Sequence, residues 1–70
     1  MVQRFPIQSS MLRSVGYDPQ SKTLEAEFNN GGIHQYMGVP QDVYAAVLRD
    51  SAGRVMQQAV IGNYQENRLR

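Results

Sequence analysis

Residues 23–37 read TLEAEFNNGGIHQYM, and how this stretch folds decides the architecture of the chain. Leu24, Ala26 and Phe28 alternate with Thr23, Glu25, Glu27 and Asn29. That is the two-residue period of a strand whose apolar side is covered and whose polar side faces water. Asn29-Asn30-Gly31-Gly32 then supplies residues that tolerate positive φ, the chemistry of a tight hairpin. Ile33 to Val39 reads as the returning strand. Upstream, Met11 to Tyr17 alternates loosely and Asp18-Pro19 opens a turn, with Lys22 leading back into the next strand. The three strands form an antiparallel meander.

From Pro40 the period changes. Val43, Tyr44, Val47 and Leu48 follow one face of a helix, Pro40 suits its first turn, and Asp42 complements its positive end. Asp50-Ser51-Ala52-Gly53 closes this helix, with Gly53 placed for a left-handed cap. A weaker helical stripe follows in Val55, Met56, Ala59, Val60 and Tyr64, interrupted by Gly62, with Ile61 off the stripe. Residues 1–8 and 65–70 carry no periodicity and are expected to fray. The expected fold class is therefore α+β: a three-stranded antiparallel meander followed by one or two helices packed on one face, as a single domain over residues 9–64.

The hairpin register decides the surroundings of His34 and Tyr36, because a one-residue slip moves every side chain to the other face. A two-residue Asn30-Gly31 turn pairs Phe28 with Ile33 and sends His34 and Tyr36 to the outer face beside Glu25 and Glu27. A three-residue Asn30-Gly31-Gly32 loop with a glycine bulge pairs Phe28 with His34 and Ala26 with Tyr36, turning both inward. Small Ala26 opposite large Tyr36 favours the second register. The apolar character of Ile33 and Met37 favours the first, so the residues alone leave both open.

Composition removes several kinds of chemistry. At 70 residues the chain is one small domain of modest stability. It has no cysteine, so thiolate catalysis, zinc–thiolate sites and disulfides are excluded, and a cytoplasmic setting is expected. The start MVQRFPIQSS has no apolar run of the kind a signal peptide needs. No stretch approaches the ~20 apolar residues of a membrane span. Seven Lys/Arg against six Asp/Glu leave a net charge of +1 and a pI of about 8.2, below the level above roughly 9 that marks a dedicated nucleic-acid binder.

The remaining candidates for catalysis are thin. His34 is the one histidine, which rules out a multi-histidine metal centre. No nucleophile elbow accompanies it, so it reads as a partly buried, hydrogen-bonded residue. Glu25 and Glu27 share a face as a catalytic carboxylate pair would, but at this strand spacing they read as a solvated polar edge. Asn29 to Gly32 is too short to cradle a phosphate and leads into a strand rather than a helix. The chain reads as non-catalytic, with no cofactor and no metal.

The run SVGYDPQSKTLEAEFNNGGIHQYMGVPQDVYAAVLRDSAGRV resembles the KTSC domain, a short module found as a single-domain bacterial protein and at the C-terminus of some lysyl-tRNA synthetases. The matching residues are Val15-Gly16-Tyr17-Asp18, Thr23-Leu24-Glu25, Phe28, Gly31, Tyr36, Val39-Pro40, Val43-Tyr44, Leu48, Ser51 and Gly53, within a span from about Ser9 to Tyr64. Two positions depart from the pattern. His34 stands where the family has the first tyrosine of its central motif, and Val55 and Met56 stand where it has aromatics. The resemblance implies the three-residue loop with His34 and Tyr36 turned toward the helix. Through the synthetase association it also implies RNA, either tRNA or a single strand, as partner.

Two functional readings follow. The first is an RNA-binding accessory module using Tyr17 or Tyr36 as a stacking surface and Arg49, Arg54, Arg68 and Arg70 as phosphate contacts. Core packing competes for the tyrosines, and a solvated face for the arginines. The second is a protein-interaction module acting through the sheet edge or an apolar patch of Met56, Val60 and Ile61.

Overall fold

The computed structural model describes residues 2–70. Five strands form one antiparallel sheet in sequence order: β1 (Phe5–Pro6), β2 (Leu12–Asp18), β3 (Thr23–Phe28), β4 (Ile33–Met37) and β5 (Gln65–Arg68). Between β4 and β5 lie α1 (Gln41–Arg49), the short α2 (Ala52–Val55) and a π-helical turn (Met56–Val60). No helix is long and apolar enough to cross a membrane. The three expected strands are present, and the structure adds one on each side. Both additions fall in the stretches 1–8 and 65–70 that lack periodicity. β1 is two residues long and both are exposed. All four residues of β5 are exposed and polar, so neither strand alternates in a way that hydropathy reveals.

The β2–β3 turn follows the expected chemistry, with Asp18 Oδ1 accepting from Gln20 N at 3.0 Å. The β3–β4 loop has three residues, one step earlier than expected. It is Asn29-Asn30-Gly31, closed by Phe28 N donating to Gly32 O at 2.8 Å and Gly31 N donating to Phe28 O at 2.9 Å. Gly31 takes the left-handed position with φ 92°, as a three-residue hairpin demands. The resulting register pairs Leu24 with Tyr36, Glu25 with Gln35, Ala26 with His34 and Glu27 with Ile33. The partners of His34 and Tyr36 are each shifted by two residues from the expected ones. A two-residue shift preserves the face, so both side chains share the helix-facing side with Leu24, Ala26 and Phe28.

Leu12, Val15, Leu24, Ala26 and Tyr36 from the sheet pack against Val39, Val47, Ala52, Met56 and Val60. α1 begins after Pro40 and carries Asp42 in its first turn. Leu48, expected on the buried stripe, is 52% exposed; α1 is only nine residues long, and its inward face closes with Val47. Gly53 does not cap α1. It lies within α2, where a Cβ would come within 2.9 Å of Met11 Cβ, so glycine permits close approach here rather than a left-handed turn. Met56 and Val60 are fully buried, which reduces the expected apolar patch on the second helical segment to the half-buried Ile61.

The outer face is not the solvated surface that alternation suggests. Residues 2–4 lie across it over Gly16, where an added Cβ would stand 2.1 Å from Gln3 O. Glu25 beneath is 1% exposed. It is ion-paired with Arg4 and accepts from Gln35 Nε2 at 2.9 Å. Arg4 Nε also donates to Ser14 Oγ at 3.1 Å, and Ser14 Oγ donates to Glu27 Oε1 at 2.9 Å. A carboxylate can be buried here because its charge and lone pairs are met. The Gly16→Ala variant is expected to lift residues 2–4 off the sheet and lower stability by about 1–3 kcal/mol. Denaturant unfolding measures the loss, and it should come with exposure of Val2 and Arg4 in proton NMR.

Candidate functional site: a cleft at the hairpin and the last strand

A cleft of about 760 Å³ lies between the β3–β4 hairpin, β5 and Ile61. That is within the size range of small-ligand sites. The hairpin loop contributes Asn30, Gly31 and Gly32, the sheet contributes Phe28, His34 and Tyr36, and the last strand and its extension contribute Glu66, Arg68 and Arg70. The strand pairing accounts for this set. β5 lies antiparallel to β4 with Tyr36 opposite Glu66 and His34 opposite Arg68. Directly opposed residues project to one side of the sheet, so the two β5 charges emerge beside the two β4 rings.

Tyr36 forms the floor and is 1% exposed. Its hydroxyl donates to Glu66 Oε2 at 3.3 Å. His34 Nδ1 is hydrogen-bonded to the same oxygen; an ionised carboxylate only accepts, so Nδ1 carries the proton in this contact. The His34 ring stands edge-on to Phe28, with centroids 5.3 Å apart and planes at 80°, the favoured geometry for an aromatic pair. Burial first, and then the charge and hydrogen bond of Glu66, raise the Tyr36 phenol far above its ordinary value. The hydroxyl therefore stays a donor throughout the ordinary pH range.

Arg68 forms no ion pair among the described residues. Arg70 donates through Nε to Gly31 O at 3.3 Å and reaches Glu27 Oε2 at 3.5 Å through Nη2, an exposed contact of little energetic weight. Guanidinium groups held this loosely can turn toward an anionic ligand. Chemically, the cleft offers two partly exposed rings, one acceptor and two cations. No group of three metal-ligating side chains occurs among the described residues.

The six residues proposed from sequence therefore separate. Tyr36, Arg68 and Arg70 come together in the cleft, where Tyr36 is buried. Tyr17 lies elsewhere: its ring stacks on Tyr44 of α1 at 4.9 Å and 13°, and its hydroxyl donates to Val39 O at 2.5 Å. It fastens α1 to the sheet. Arg54 lines a separate, smaller groove with Asp50, Ser51, Val55 and Gln58, and Arg49 sits in the last turn of α1 and lines neither depression. The sequence places Phe28 on the apolar stripe, where core packing outweighs stacking, and offers no signal for Glu66, which lies in a stretch whose strand character hydropathy does not reveal.

With this geometry the chain is a small α+β domain with one prominent cleft, and comparison with known proteins assigns its family. It matches the KTSC domain over residues 8–64, and it belongs to that family. A protein of Stutzerimonas stutzeri described as uncharacterized is 47% identical over 58 residues, covering 81% of this chain and 82% of its own length. A protein of Tsukamurella paurometabola is 34% identical over 56 residues, covering 79% and 84%. The crystal structure of a KTSC domain protein from Yersinia pestis superposes with a TM-score of 0.94 at 32% identity, over 100% of both chains. The likeness to the Yersinia structure includes β1 and β5, the two strands outside the matched family span.

The pH dependence has a definite sign. A phenol whose folded-state pKa is raised keeps its proton in the folded chain while the unfolded chain ionises. Stability is thus fully present below the unfolded tyrosine value of about 10 and falls as pH rises beyond it. Tyr36→Phe is expected to cost about 0.5–1.5 kcal/mol at neutral pH through the lost hydrogen bond. It should also flatten the alkaline fall in stability. Denaturant midpoints between pH 8 and pH 11 measure both.

Proposed function

We propose that this chain is a non-catalytic module that binds single-stranded RNA through the cleft between the β3–β4 hairpin and β5. The observation that carries the reading is the convergence of Phe28, His34 and Tyr36 with Arg68 and Arg70 around one opening. A splayed base needs a ring to stack on and a phosphate needs a mobile cation nearby. The partly exposed Phe28 and His34 rings serve the base, and Arg68 and Arg70 serve the phosphates. Glu66 and the hairpin backbone are placed to accept from a base edge. A net charge of +1 makes this a site of local rather than global attraction, so the affinity is modest. The second reading, a protein partner, keeps the exposed sheet edge, whereas its patch on the second helical segment is reduced to the half-buried Ile61 because Met56 and Val60 are buried.

An amide NMR titration with a mixed-sequence RNA oligonucleotide tests the proposal, with fluorescence anisotropy giving affinities at several salt concentrations. Gly31, Gly32, His34 and Arg68 amides are expected to shift together while Arg54 stays still. Two phosphate contacts give a log–log salt slope of about −1.4, and Arg68→Ala should reduce its magnitude by about 0.7. Phe28→Ala should weaken binding by about 1–3 kcal/mol, the worth of one stacked base. Absence of any shift at low salt, where electrostatic binding is strongest, would overturn the reading, as would shifts centred on Arg54.

A further inference from the structure

β5 leaves one long side of the sheet open. The sequence-ordered sheet has β1 at one edge and β5 at the other, and β1 is two residues long and contains Pro6, a poor template for pairing. β5 has four residues, all exposed. Leu69 N donates to Ile33 O at 2.7 Å, and Gln35 faces Asn67 two residues on. By the alternation of an antiparallel ladder, Asn67 bonds toward β4, and the backbone N–H and C=O groups of Glu66 and Arg68 point outward from the sheet.

We propose that β5 is the contact edge of a two-fold symmetric homodimer, with Asn67 of each copy on the axis. In that register Glu66 of one copy lies opposite Arg68 of the other, and the reverse pair follows by symmetry. These are the residues with free backbone groups, so each opposed pair exchanges two backbone hydrogen bonds as well as a cross-strand ion pair. Sliding one copy by two residues sets Glu66 against Glu66 or Arg68 against Arg68, and like charges directly opposed are unfavourable. The order Glu-Asn-Arg therefore selects one antiparallel register. Glu66 holds Tyr36 and His34 through Oε2, which leaves Oε1 for the partner. This surface does not depend on the RNA reading. With the axis normal to the sheet, both clefts open on the same side of the joined sheet.

Edge pairing over so few residues is small by interface standards, so association is expected to be weak and to appear near millimolar concentration. Sedimentation equilibrium of the full chain should show the mass rising toward the dimer with concentration. Arg68→Glu alone and Glu66→Arg alone should each stay monomeric, because each sets like charges opposite one another. An equimolar mixture of the two should associate, because it restores both opposite-charge pairs. A wild-type chain that stays monomeric at all concentrations would overturn the proposal, as would an Arg68→Glu variant that associates as well as wild type. Should Glu66→Arg fail to fold, an isotope-filtered NOE between Asn67 Hα of a labelled and an unlabelled wild-type copy decides the matter: its presence supports the register and its absence overturns it.

Discussion

The cleft depends on one backbone constraint, the left-handed conformation of Gly31 at φ 92°. It closes a three-residue loop and so fixes which residue of β4 meets which residue of β3. A side chain with a Cβ strains such a turn. A slip of one residue would move His34 and Tyr36 away from the helices and bring Ile33, Gln35 and Met37 inward. The observed register puts the bulkiest buried side chain of the chain, Tyr36, opposite Leu24 in the core. Because His34 and Tyr36 then line the helix-facing side of β4, the opposed residues of β5 place Glu66 and Arg68 at the same opening. Site geometry and core packing thus rest on the same turn.

The two faces of the sheet use different physics. The inner face is an apolar layer held by close packing under α1, α2 and the π-helical turn. The outer face holds a buried polar network, in which Arg4, Ser14, Gln35 and Glu27 surround Glu25 beneath residues 2–4. Such a network is favourable only when every member is satisfied. No buried side-chain polar atom lacks a hydrogen-bond partner among the described residues. The N-terminal segment is therefore part of the fold, and Gly16 is small so that Gln3 can cross the strand.

The central architecture was legible wherever period and turn chemistry agreed. Leu24-x-Ala26-x-Phe28, the glycine turn and the Val43-Tyr44-Val47 stripe each carry a local signal that the tertiary structure keeps. The failures share a physical cause. Gln65 to Arg68 is polar on both sides because it is an edge strand, so it forms by pairing with β4 rather than by burial, and periodicity is silent about it. Glu25 looks solvated by alternation, and only the three-dimensional path of residues 2–4 buries it. Met56, Val60 and Gly53 depended on how tightly the two helical segments fold back, which a π-helical turn decides. For the candidate site, Tyr36, Arg68 and Arg70 were singled out by residue type and family resemblance. What brings them together is β5, the element the sequence conceals.

The most direct test of this account is a set of cross-strand Hα–Hα NOEs measured on the isotope-labelled chain. In the observed ladder Tyr36–Glu66 and His34–Arg68 are the non-hydrogen-bonded pairs, whose α-carbons approach to about 4.5 Å. Both NOEs are predicted, together with strand-like chemical shifts for Gln65 to Arg68. If residues 65–70 instead give random-coil shifts and no contact with β4, Glu66 and Arg68 do not stand beside Tyr36 and His34, and the cleft described here does not exist.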